Sequence, residues 1–545
     1  MSESSYQADA FHKLTYLVID DFENFRLSLR QMLRACGADQ IELVGNAKQA
    51  IKYCTYNHVD VVLCDYNLGE GKNGQHVLEE LRHKNLLRRS SLFLMVTAET
   101  SKQMVMGARE NQPDGYLTKP INRAMLEQRL ITLLDQRKAL LPINREIDRE
   151  NYPEAISLCL QALPRNPRHK TWLLKTLGDL YFRLGDLSHA AKVFDDVLQQ
   201  RELSWARLGR SQVLLANRSH DQAVANLKQL IDTHPDYMEA YDLLADGLRQ
   251  QGKLSEAQQV LEQAIVQSPN ALLRQKQLAE VAEANQDIDA AADAWRRTVS
   301  LGTHSIHDSA DHYLALGQSL SELGEDEDNA EAVEHATEAL EILGSMEKRF
   351  ADQPTVGLRS RIVQCRVLFG QGQHREAEAL HNSLKAEFDS NPLIDPDTSL
   401  DYAKTLFRVG RDGDARDLLG RLAEQHSDET ELLKRIEALL DEPVGFRQKL
   451  KARNLTRDGI KAFEAGDLTA AAAAFTEALV VVPNHTSLNL NLVQVLLKIY
   501  EADPTSREPL EQCRARLDRL QGLPEQHRQH RRYIALSQKL KGLTA

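Results

Sequence analysis

The chain has no Cys-x-x-Cys pair, no long apolar run and no overall excess of positive charge. The six cysteines, Cys36, Cys54, Cys64, Cys159, Cys365 and Cys513, are widely scattered. They suggest neither a zinc site nor a disulfide framework, and read as small buried residues in a reducing cytosol. No apolar stretch is long enough to span a bilayer, and MSESSYQADAFHK lacks the charged-then-apolar pattern of a signal peptide, so a cytoplasmic protein is expected. A formal net charge of -12 gives no general attraction to nucleic acid or anionic lipid, which makes a protein the better default partner. A nucleotide-binding Gly-rich loop is missing, and after residue 140 so is any clustered Ser/His/Asp, Cys/His or metal-ligand pattern, so no separate substrate turnover is expected.

The 545 residues, 42% hydrophobic and 27% charged, are those of a folded, modular protein. After a tail over 1–13, five short apolar runs, 14–20, 41–45, 59–65, 91–98 and 114–120, alternate with helical patterns. Continuous β-rich runs separated by helices point to buried strands of a parallel sheet joined by helical crossovers. This α/β domain is expected over 14–138.

Beyond it the strand signal stops. Small residues recur at Ala190, Ala223, Ala257 and Ala291, steps of about 34 residues, with turn glycines such as Gly185, Gly252 and Gly466 between helical patterns. Further copies centre on Ala155, Ala377, Ala415 and Ala471. Small residues at fixed points let paired helices approach, and a unit that cannot bury its own face must stack on the next. The pattern resembles tetratricopeptide repeats, implying an all-α solenoid over 139–545 that binds another protein. Two stretches depart from the period: 310–355, with the acidic GEDEDNAEA, and 423–450, where an additional helical segment precedes Pro443 and Gly445. A capping helix is expected at the C-terminus.

Five polar positions fall at the ends of the expected strands: Asp20 and Asp21 after the first, Asp65 after the third, Thr97 after the fourth, and Lys119, followed by Pro120, after the fifth. Carboxyl ends of strands in an open α/β sheet converge on one crevice, so these distant residues can share a site. In this ordered set the region resembles the receiver domains of bacterial two-component response regulators. The resemblance implies a doubly wound, five-stranded, flavodoxin-like sheet, with Asp65 as the nucleophile for a phosphoryl group from a histidine kinase or phosphotransfer protein. It implies Mg²⁺ held by Asp20, Asp21, Asp65 and the backbone carbonyl of Asn67, since crowded carboxylates repel unless a hard cation sits among them. Lys119 and Thr97 would meet the phosphoryl oxygens, and Tyr116 matches the family's aromatic switch. The loop after Asp65, YNLGEGKNG, lacks the family's usual proline and is lengthened before Gly74.

Residues outside these sets read more plainly. His304 with His307, and His527 with His530, have spacings that place two imidazoles on one helix face, but without a third ligand they read as solvated histidines. Trp172, Trp205 and Trp295 read as packing. A rival function, a nucleic-acid-binding regulator, would use the basic C-terminal segment with Arg528, Arg531, Arg532, Lys539 and Lys541.

Overall fold

The computed structural model describes residues 11–98, 113–325, 328–391, 394–441, 446–521, 523 and 529–544. Two compact units result, Met1–His312 and Tyr313–Ala545.

The first unit begins with strands β1 (Thr15–Ile19), β2 (Gln40–Val44), β3 (Val61–Asp65), β4 (Leu92–Thr97) and β5 (Gly115–Thr118), and helices α1 (Glu23–Ala35), α2 (Ala47–Tyr56), α3 (Gly74–His83) and α4 (Arg123–Asp148). The strands form one sheet in the order β2-β1-β3-β4-β5, and every pairing is parallel. β3, the central strand, is buried along its whole length, as its run VVLCD requires. One apolar layer packs Leu29, Leu33, Leu126 and Leu130 against Tyr16, Val18 and Leu63; the opposite layer packs Ala50, Val77, Leu78 and Leu81 against Leu17, Val62 and Phe93. This is the doubly wound arrangement, whose crevice lies at the carboxyl ends of β1 and β3.

The boundary expected at 138/139 falls inside α4, a single helix of 26 residues. Its first half supplies Leu126, Leu130, Leu133 and Leu134 to the α/β core. Its second half supplies Leu140, Ile143 and Ile147 to a helical core with Ala155, Cys159, Leu173 and Leu177. Arg137 pairs with Asp60, and Asp148 accepts the backbone N–H of Arg89 at 2.7 Å and the Ser90 hydroxyl at 3.0 Å.

The remaining helices of this unit are α5 (Tyr152–Ala162), α6 (Lys170–Arg183), α7 (Leu187–Gln200), α8 (Ser204–Ala216), α9 (His220–Thr233), α10 (Met238–Gln250), α11 (Leu254–Gln267), α12 (Leu272–Asn285) and α13 (Ile288–Gly302). Ala155, Ala190, Ala223, Ala257 and Ala291 are each fully buried, one per helix pair. Phe194 explains a paired absence of side chains: a Cβ at Gly178 or Gly209 would strike its ring. The turns keep the period too, since the chain turns left-handed at Glu150, Gly185, Arg218, Gly252 and Gln286. Glycine suits that geometry best, yet two of the later turns adopt it with Arg and Gln.

The second unit holds most of α14 (Ala310–Leu323), then α15 (Ala330–Arg349), α16 (Val356–Gly370), α17 (His374–Ser390), α18 (Pro396–Arg408), α19 (Asp412–Gln425), α20 (Thr430–Asp441), α21 (Phe446–Glu464), α22 (Leu468–Val481), α23 (Thr486–Ala502), α24 (Glu508–Asp518) and α25 (His530–Thr544). The lengthened unit at 310–355 contains the 20-residue α15, and α20 is the additional helix; Pro443 and Gly445 lie outside the described residues. α25 packs Leu540 onto the core of α22, α23 and α24. All six cysteines are buried thiols.

Candidate phosphoacceptor site

β1 and β3 end side by side, so the residues that terminate them meet. Asp20 follows β1 and is 1% exposed; Asp65 closes β3 and is 7% exposed. Asp21 stands exposed at the rim. One carboxylate oxygen from each of the three lies within 4.8 Å of the others. Lys119, delivered by the end of β5, places its Nζ 2.8 Å from Asp20 Oδ2 and 2.9 Å from Asp65 Oδ2. The backbone explains the convergence: Lys119 N–H donates to the Thr97 carbonyl and Tyr66 N–H to that of Val96, both at 2.8 Å, so β3, β4 and β5 finish in register. Asp20 has a fixed rotamer, because its Oδ1 accepts the N–H of Phe22 at 2.9 Å.

The electrostatics follow from this crowding. Burial pushes the Asp65 carboxyl up from its ordinary value; Lys119 pulls it down, Asp20 adds repulsion, and the net direction is up. Burial alone would lower Lys119, but hydrogen bonds to Asp20 and Asp65 outweigh it and its pKa rises.

An open cleft of about 670 Å³ lies over these groups, lined among others by Asp21, Phe22, Phe25, Asn67, Thr97 and Lys119. Thr97 is half-buried at the end of β4. Asn67 turns its side chain into its own loop, accepting the Gly69 N–H at 3.2 Å. Tyr116 is half-buried against the apolar layer that contains Val77, Leu78 and Leu81 of α3. The face expected to respond to Tyr116 includes residues 99–112, outside the described residues.

Two participants escaped the sequence reading. Phe25 lies beneath Lys119, with Nζ 4.2 Å from its ring centroid, a cation–π contact that holds the ammonium over the carboxylates. It stands in the first turn of α1, which starts at Glu23 just after the acidic pair. Phe22 is 68% exposed at the mouth of the cleft.

Other expectations are corrected or refined. His304 and His307 do not share a helix face, because α13 stops at Gly302 and both occupy the following turn. His530 donates from Nδ1 to the Leu523 carbonyl at 3.0 Å, and His527 lies outside the described residues, as does Arg528. Trp295 is buried and donates to Glu283 at 2.7 Å, while Trp172 and Trp205 are half-buried against helical cores.

The response regulator receiver domain model matches residues 16–131, and a tetratricopeptide repeat model matches 214–278. The chain is a receiver domain followed by tetratricopeptide repeats. Its receiver is 26% identical over 120 residues to chemotaxis protein CheY-3 of Vibrio cholerae, a match covering 22% of this chain and 91% of that protein. Chemotaxis protein CheY of Pseudomonas aeruginosa is 24% identical over 120 residues, which is 22% of this chain and 95% of that protein. Among solved structures, MamA from Desulfovibrio magneticus RS-1 is 22% identical with a TM-score of 0.27, covering 30% of this chain and 93% of that one. In the receiver the acidic cluster is the set at which such domains bind Mg²⁺, and among the described residues no helix is long and apolar enough to cross a membrane.

Proposed function

We propose that the chain is a phosphorylation-controlled adaptor, in which Asp65 accepts a phosphoryl group and its occupancy governs how the repeats engage a protein partner. The observation that carries this reading is the placement of Asp65, a carboxylate at the end of the central strand, between Lys119 and a second buried carboxylate under an open cleft.

An oxygen of Asp65 attacks the phosphorus of a phosphohistidine on a kinase or phosphotransfer protein. The P–N bond breaks, its electron pair stays on the imidazole nitrogen, which is reprotonated, and an acyl phosphate remains on Asp65. Lys119 exchanges one of its carboxylate partners for a phosphoryl oxygen, and Thr97 donates its hydroxyl to another. Phe25 keeps the ammonium close throughout. The donors are all oxygens and three are carboxylates, which fits a hard divalent ion. Asp20, Asp21, Asp65 and the Asn67 carbonyl would hold Mg²⁺, whose charge offsets that of the transferring oxygens.

Among the described residues of the repeats no cluster argues for turnover of a separate substrate, and the reading is of a cytoplasmic binding protein. The basic C-terminal segment is better read as a cap than as a nucleic-acid site. Arg532 donates to Asn491 at 2.8 Å and Gln494 at 2.7 Å, and Lys539 pairs with Glu501 at 2.7 Å, so these cations are committed to packing.

The test is labelling of the full chain by acetyl phosphate with Mg²⁺. Asp65→Ala is expected to lose the acid-labile label entirely while keeping its circular dichroism. Stoichiometric labelling of the variant at another carboxylate would sink the assignment.

A further inference from the structure

Among the described residues, two of the receiver's connections to the repeats stand out. One meeting is covalent, through α4; the other joins residues more than 220 positions apart. On α3, His76, Glu79 and His83 stand at i, i+3 and i+7 and share a face. The turn after α13 answers each of them. His304 sets its ring 6.4 Å from that of His76, edge to face at 69°. Ser305 Oγ donates to Glu79 Oε2 at 3.1 Å. The His307 ring lies 6.5 Å from His83, again at 69°. The turn is shaped for the contact, since Ser305 Oγ also accepts the His307 N–H at 3.1 Å.

The N-terminal end of α3 abuts the phosphoacceptor. Gly74 begins the helix and donates its N–H to the Tyr66 carbonyl at 2.8 Å. A Cβ on Gly74 would collide with the main-chain oxygen of Asp65, so the start of α3 lies directly against that peptide. The cap ties this start to the docking face. Asn73 Oδ1 accepts the His76 N–H at 3.0 Å, and His76 Nδ1 accepts the Asn73 N–H at 3.1 Å. His76 therefore serves in the loop that descends from Asp65 and in the contact with the repeats. Because Nδ1 is an acceptor here, the ring is neutral with its proton on Nε2. Burial, then His304 and Lys72, favour the same neutral form.

We infer that this contact, α3 against the turn 303–309, is an intramolecular latch between receiver and repeats that loosens when Asp65 is phosphorylated. The inference rests on the reading of Asp65 as phosphoacceptor. A phosphoryl group, with nearly two negative charges, draws Lys119 away from its carboxylates and rearranges the loop 66–73. Gly74 leaves no slack between that loop and α3. Three contacts matched to one position of the helix are then lost together. The latch lies on α3, so it gives the receiver a route to the repeats besides the covalent one through α4.

Hydrogen exchange on the full chain tests this, read at the Ser305, His307 and Asp308 amides, each hydrogen-bonded within the turn. Acetyl phosphate with Mg²⁺ is expected to speed exchange there about 5- to 150-fold, the range typical of coupled sites. Asp65→Ala should abolish the response. The double variant Glu79→Ala with His304→Ala, which leaves the phosphoacceptor groups intact, should exchange fast without phosphodonor. By reciprocity it should also take up label more readily. Full labelling of Asp65 with unchanged or slower exchange in 303–309 overturns the latch and leaves the phosphoacceptor reading standing. Failure of labelling overturns both.

Discussion

In the receiver, Asp20, Asp21 and Asp65 crowd within 4.8 Å of one another, and Lys119 bridges two of them. In the second unit, Glu322, Glu325 and Asp401 face Lys404, Arg366 and Arg408: Arg366 pairs with Asp401, Arg408 with Glu322 and Glu325, and Lys404 with Glu322 at 2.7 Å. The ingredients match, but the balance does not. Three carboxylates against three cations leave the repeat cluster neutral, while the receiver's three against one leave it short of positive charge. Burial pushes Glu322 up, but Lys404 and Arg408 pull harder and hold it well below the usual carboxylate range. Asp401 is likewise lowered despite its burial, chiefly by Arg366. Asp65 moves the other way, as does Glu325, where burial outweighs the pull of Arg408. A charge cluster complete in itself serves the fold, whereas one that is incomplete and open to a cleft is prepared for something from outside.

The sharpest break in this comparison is Arg366→Ala. It strands Asp401 in the interior, and breaking a buried pair in this way costs about 3–5 kcal/mol. Chemical denaturation of the full chain should show the loss in the transition of residues 313–545. A loss below about 1 kcal/mol, the level of a surface pair, would mean that the network is not holding the helices.

Acid comes next. Glu322 has a folded value below its ordinary 4.5, so its stabilisation is complete above that pH and is lost progressively as pH falls below it. Thermal melts from pH 6 to pH 3 should show a decline that Glu322→Gln flattens. His76 adds an earlier contribution in the receiver. Burial, His304 and Lys72 lower it from 6.5 to about 4, so stability present above pH 6.5 is lost between those values. Histidine NMR shifts separate the two, and a His76 that titrates near 6.5 would remove that part.

The smallest expected effect has the opposite sign. Asp21→Asn removes one exposed carboxylate from a repelling set, so the melting temperature of the receiver should stay the same or rise slightly, while labelling needs more Mg²⁺. A clear destabilisation would place Asp21 with the complete, structural kind of cluster.

The two regions were also legible to different degrees. Strand-end residues were readable because a strand's apolar run fixes where it stops, and Asp65, Thr97 and Lys119 sit at or immediately after those stops. The repeat period was readable because each buried alanine answers to a local packing need that recurs. The turn glycines carried the period only in part, since Arg218 and Gln286 take the same left-handed geometry without the residue type that announces it. The charge network was not readable: Glu322, Arg366 and Asp401 come from α14, α16 and α18, and nothing in their spacing says that they face one another. The same holds for His304 and His307, whose meaning came from α3.

α4 behaves as a gear shaft between two cores. Leu134 is its last buried residue in the receiver core and Leu140 its first in the repeat core. An added residue between them turns the downstream part by about 100° and advances it 1.5 Å. Leu140, Ile143 and Ile147 would then leave their seats, or the receiver would swing round the shaft and carry His76 and His83 out of reach of the turn that meets them. Between Leu134 and Leu140, the length of the helix is therefore under tighter constraint than the identity of its exposed side chains. Receivers and repeat arrays joined through such a shaft can be exchanged between proteins only when the two pieces are in phase.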